Sequence, residues 1–79
     1  MTLHNNLRKL RFEKDEMSQQ TLADLIGVTR MTIYSIEKGK YIPSTVLALR
    51  ISKVFNRTVE EIFSLAEDND PQKGENENG

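Results

Sequence analysis

The chain has 79 residues, with 11 Lys and Arg against 12 Asp and Glu, one histidine and no cysteine. That length gives one domain. The missing thiols exclude disulfides, thiolate metal sites and thiol nucleophiles, and His4 alone cannot build a zinc site, so neither metal nor cofactor is expected. No apolar run approaches the ~20 residues that span a bilayer, and the first residues are polar rather than signal-like, so a cytoplasmic location is expected.

Charge is unevenly placed. Residues 67–79 (EDNDPQKGENENG) hold five acids and one base, a net of −4, which leaves residues 1–66 with 10 bases and 7 acids, a net of +3. The acidic segment has no apolar side chain whose burial could offset the entropy of ordering it. It is expected to be a disordered tail on a domain spanning residues 1–66. A basic body can attract phosphates through its local field whatever the total charge of the chain.

Within residues 1–66 apolar side chains recur at helical spacing, with capping residues between the runs. Leu3, Leu7 and Leu10 stand at i, i+4 and i+7, predicting a first helix over about 5–14. Ser18 is an N-cap for a second helix with Leu22, Ala23 and Ile26 on one face, and Gly27 ends it. Thr29 caps a third, which carries Ile33 and Ile36 and stops at Gly39. Pro43-Ser44 opens a fourth with Leu47, Ala48, Ile51 and Phe55, ending near Asn56; Arg50, Lys53 and Arg57 are expected on its solvated side. Thr58 and Glu61 form a T-x-x-E capping box for a short fifth helix bearing Val59, Ile62 and Phe63. Five short helices predict an all-α bundle.

The stretch 18–39 holds the chemistry. Two short helices around the turn Gly27-Val28 describe a helix-turn-helix. At ~100° per residue, Ile33 and Ile36 of the third helix share one side, whereas Met31, Tyr34, Ser35 and Lys38 face away from it. That strip offers apolar contact, donors and positive charge, a mixture suited to base edges, thymine methyls and phosphates. Glu37 falls on the shoulder of the buried side and needs a partner. Serines and carboxylates are scattered over caps and surfaces, with no second histidine and no glycine-rich phosphate loop, so no enzymatic activity is expected.

Taken together, residues 5–63 resemble the Cro/phage-repressor (Xre-type) helix-turn-helix family. The resemblance runs through N-N-L-R-K-L-R in the first helix, S-Q-x-x-L-A-x-x-x-G-V in the second and T-R-M-T-I-Y-S-I-E-K-G-K in the third. It continues through P-S-x-x-x-A-L-x-I and T-V-E-E-I-F. It implies a small stand-alone transcriptional regulator with the five-helix fold of the phage-repressor DNA-binding type. Some such relatives also pair their chain ends as a short antiparallel β ribbon, for which Thr2-Leu3-His4 and Phe63-Ser64-Leu65 are placed here.

The function it implies is sequence-specific binding of double-stranded DNA as a homodimer, as a repressor on a near-palindromic operator. Arg30, Met31, Tyr34 and Ser35 match base-reading positions. Gln19, Thr29, Thr32, Lys38, Lys40 and Tyr41 match positions that hold the DNA backbone. Arg11 and Glu37 match a structural salt bridge, and Phe63 with Leu65 is assigned to the dimer interface. The chain departs from the family pattern in a turn between Arg11 and Ser18 that is one residue longer, and in Thr45 where an apolar residue is usual. The alternative is an antitoxin-like or regulatory module that uses the same fold to hold a protein partner.

Overall fold

Among the described residues, four of the five helices begin at a hydroxyl that closes on the backbone. Ser18, Thr29, Ser44 and Thr58 each accept a hydrogen bond from the N–H three residues on, satisfying one of the donors that a helix start leaves unpaired. At Thr58 the bond is reciprocated, since the Glu61 carboxylate accepts from the Thr58 N–H at 2.8 Å. The computed structural model describes residues 2–66. In chain order they form strand β1 (Thr2–Asn5), helices α1 (Leu7–Glu13), α2 (Gln19–Ile26), α3 (Arg30–Glu37), α4 (Thr45–Phe55) and α5 (Val59–Ile62), and strand β2 (Phe63–Ala66). The acidic segment 67–79 lies outside the described residues.

The first helix begins later than its apolar spacing predicts. Asn5 ends β1, and its side-chain oxygen accepts from Leu7 N–H at 3.1 Å. Asn6 is tied to α5, its backbone N–H donating to the Ile62 carbonyl and its Nδ2 to the Glu61 carbonyl, each at 2.9 Å. Helix geometry therefore starts only at Leu7. The longer turn that follows is closed by Asp15 and Glu16, both in the left-handed region at φ 56° and 53°. It returns through Met17 N–H to the Arg11 carbonyl at 2.8 Å.

One core gathers the inward faces: Leu7 and Leu10 of α1, Leu22, Ala23 and Ile26 of α2, Ile33 and Ile36 of α3, the inner face of α4, and Ile62 with Phe63. Among the described residues no polar or charged residue is buried. Ala23 is fully buried where α2 packs on α3, and Val28, in the turn between them, is half-buried against the same core. That turn needs Gly27, which sits at φ 78° and donates its N–H to the Ala23 carbonyl. An added Cβ would meet only the Arg50 guanidinium, at 3.5 Å, so the cost of Gly27→Ala is backbone strain. We expect it to lower the unfolding free energy by about 1–2 kcal/mol, the left-handed penalty for a residue with a side chain, measured by urea denaturation.

The strands β1 and β2 make an antiparallel ribbon in the register Leu3↔Leu65 and Asn5↔Phe63. Side chains alternate along a strand, so Leu3, Asn5, Phe63 and Leu65 share one face. Phe63 opens β2, as the ribbon expectation has it, rather than riding on α5, and at 8% exposed it packs in the protomer's own core. Leu65, farther out on the same face, is 66% exposed. No helix among the described residues is long and apolar enough to cross a membrane.

Candidate nucleic-acid interface

Helix α3 has an inner and an outer side. Ile33 and Ile36 are buried, while on the outer side Met31 is 61% and Tyr34 38% exposed, with Lys38 also exposed and Ser35 half-buried. Arg30 projects from the first turn of the helix and is exposed. The Lys38 ammonium lies over the Tyr34 ring, 5.7 Å from its centroid, within cation–π range.

Each flank of α3 opens onto a cleft. One lies toward α1 and the start of α2 and is lined by Arg8, Arg11, Gln19, Arg30, Tyr34, Glu37 and Lys38. The other is lined by Met31, Thr32, Ser35, Lys40 and Tyr41. The structure thus brings the residues matched to base-reading and backbone positions onto one helix and its two borders. Thr29, at the N-cap, has its hydroxyl 3.0 Å from that of Thr32.

An ion pair sets the pitch of this surface. Arg11 Nε donates to Glu37 Oε2 at 2.6 Å and a terminal guanidinium nitrogen to Oε1 at 3.0 Å, a two-pronged contact that joins α1 to the end of α3. The other terminal nitrogen of Arg11 donates to the Met17 carbonyl at 2.7 Å, which also braces the long turn. Gln19 joins the same cluster. Its Nε2 donates to Glu37 Oε1 at 3.1 Å, and its Oε1 accepts from Arg30 at 3.5 Å. The side chain matched to a phosphate contact is therefore held between the half-buried pair and an exposed arginine.

Two positioning contacts escaped the reading of the sequence. Asn5 Nδ2 donates to the Ile36 carbonyl at 2.9 Å, closing the end of α3 from the ribbon. Arg50 is exposed, as expected, and also donates to the Ile26 carbonyl at 3.1 Å, which caps the end of α2. Both pairs are more than twenty residues apart in sequence, and no local pattern announces them. Arg8, which lines the first cleft, is a third residue that spacing did not single out.

Chemically the surface offers donors, cations and small apolar contacts. Among the described residues no group of three or more His, Asp or Glu side chains could hold a metal ion.

Comparison with known proteins places the whole helical body. The family model for helix-turn-helix proteins matches residues 7–62, from the start of α1 to the end of α5. The chain is 43% identical over 67 residues to an uncharacterized HTH-type transcriptional regulator of Bacillus subtilis, YgzD, a match covering 85% of this chain and 100% of that protein. It is 49% identical over 55 residues to an uncharacterized HTH-type transcriptional regulator of Archaeoglobus fulgidus, covering 70% and 78% of the two chains. It is 42% identical over 60 residues to the control protein C.MunI of a Mycoplasma species, covering 76% and 81%. With these likenesses and the two-helix unit α2–α3 on an all-α frame, the chain belongs to the Cro/phage-repressor (Xre-type) helix-turn-helix family of DNA-binding transcriptional regulators.

Proposed function

We propose that the protein is a homodimeric repressor, acting in the cytoplasm, that reads a near-palindromic operator with the outer side of α3. The observation that carries this reading is the rigid presentation of α3, with Ile33 and Ile36 fixed in the core and the Arg11–Glu37 pair holding its end. Arg30, Met31, Tyr34 and Ser35 read base edges. Gln19, Thr29, Thr32, Lys38, Lys40 and Tyr41 hold the backbone on either side. One short helix reads only a few base pairs, too little to single out a site in a genome. Two copies about one helical turn apart supply the rest.

A competitive titration tests the sequence claim. Duplexes enriched by this protein from a random pool are expected to bind at least ~1,000-fold more tightly than scrambled duplexes at physiological salt. Arg30→Ala and Tyr34→Ala are expected to weaken operator binding by about 1–3 kcal/mol each while relaxing preference at the base pairs they face. Equal affinity for every duplex sinks operator reading. Equal loss on all duplexes removes the mutated residue from the base-reading set.

A further inference from the structure

The net charge of +3 on residues 1–66 is collected in one place. The cleft between α1 and α3 is lined by four cations, Arg8, Arg11, Arg30 and Lys38, and by Glu37 as its acid. The rest of residues 1–66 holds six bases and six acids, which cancel. Glu37 has already been matched, since its two oxygens face Arg11 at 2.6 and 3.0 Å and Gln19 at 3.1 Å. Arg8, Arg30 and Lys38 have no acid within ion-pair distance among the described residues.

Arg8 reaches this cleft for a reason that can be traced. Helix α1 buries Leu7 and Leu10. At ~100° per residue, Arg11 stands ~70° from that buried direction on the side of α3, and Arg8 stands ~130° from it on the same side, one turn earlier. The bond from Asn5 Nδ2 to the Ile36 carbonyl, 2.9 Å, draws the start of α1 against the end of α3. Arg11 is committed to the fold; Arg8 is exposed and aimed at the same opening.

We propose that this cleft is a phosphate-binding site and that Arg8, on a helix outside the helix-turn-helix unit, grips the backbone of bound DNA together with Lys38, while Arg30 beside them reaches the base edges. A major groove about 12 Å wide admits a helix and is walled by the phosphates of both strands. With α3 in the groove, its two clefts face one wall each, the cationic one meeting one strand and the Lys40–Tyr41 side the other. A guanidinium suits this place because it stays charged and can present two parallel N–H donors to one phosphate. The inference rests on DNA binding alone and is independent of whether the protein dimerises or represses.

The test is a salt titration of binding to an enriched duplex and to a scrambled one, using the full chain. Four proteins are compared: wild type, Arg8→Ala, Arg8→Lys and, as a surface-charge control on the solvent side of α4, Lys53→Ala. One lost phosphate contact should flatten the plot of log K against log salt by about 0.9. Because that contribution vanishes near 1 M salt, Arg8→Ala should bind roughly 5-fold more weakly at 0.15 M and roughly 15-fold at 0.05 M, on both duplexes alike. Arg8→Lys should keep the wild-type slope, and Lys53→Ala should match wild type. Should the alanine protein fail to melt cooperatively, Arg8→Gln, which keeps the aliphatic stem, replaces it. A wild-type slope in the variant, a loss confined to one duplex, or an equal flattening by Lys53→Ala overturns the proposal. Absence of DNA binding by wild type overturns it together with the DNA-binding reading.

Discussion

Replacing Glu37 with alanine is expected to lower the unfolding free energy by about 3 kcal/mol, a large share of the ~5–15 kcal/mol that holds a small domain. The pair it forms with Arg11 retains little solvent, with side chains 13% and 8% exposed, and closes at 2.6 Å. Removing one member of such a pair leaves the other charge poorly hydrated, which costs about 3–5 kcal/mol when burial is complete. The residual exposure, and the bond from Arg11 to the Met17 carbonyl that survives the change, place the expected value at the lower end. The same substitution releases Gln19 Nε2 and the end of α3, so DNA affinity should fall along with stability. Glu37→Gln keeps a side-chain acceptor but loses the charge, and should fall between the two. Urea denaturation reads the result directly. A loss below about 1 kcal/mol would mean that packing, not the ion pair, joins α1 to α3.

A double substitution, Leu49→Arg with Leu65→Arg, is expected to leave the protomer folded but weaken operator binding more than ~100-fold, through loss of the second half-site. The two side chains are 51% and 66% exposed. They border one uncharged surface. A groove between the start of α4, α5 and the ribbon is lined by Leu3, Pro43, Leu49, Val59 and the edge of Phe63 among others, none of them charged. Leu65 stands across the ribbon from Leu3. Val46, one turn before Leu49, and Ile42, on the approach to α4, are exposed as well. Patches of this kind on a small protein usually mark an interface. A second copy is the occupant that the operator reading requires, because Pro43 of the patch and exposed Ile42 lead to Tyr41 at the edge of the cleft bordering α3, so a partner seated there brings its own α3 alongside. A stable interface takes about 800 Å² from each partner, more than these side chains alone expose, so polar neighbours must join them. Sedimentation at micromolar concentration checks the first half of this expectation and anisotropy the second. A monomeric wild type, or a dimeric double variant with full operator affinity, rejects the surface.

Much of the molecule was legible because its signals are local. A serine or threonine that caps a helix bonds the N–H three residues on, as Ser18, Thr29, Ser44 and Thr58 do, so residue type and short spacing suffice to locate it. Helical periodicity likewise separates Ile33 and Ile36 from Met31 and Tyr34 before any coordinate is known. The Arg11–Glu37 pair came instead from resemblance to a family, since nothing local links residues 26 positions apart.

Where contacts join distant residues, only packing could decide. The apolar spacing of Leu3, Leu7 and Leu10 suits a helix, yet Leu3 lies in a strand, because the ribbon takes up the backbone bonds of Thr2–Asn5 and Asn6 is tied to Ile62. Phe63 follows a capping box, but pairing with Asn5 turns it from helix to strand and points it into the core. Arg50 and Arg8 look alike in sequence, as exposed cations on helices. One closes the end of α2 on Ile26, and the other faces the cleft beside α3. Local hydrogen bonding and periodicity thus determined the helices, their caps and the outward strip of α3. The crossing of those helices decided which charges gather, since an electric field depends on distance in space and not on separation along the chain.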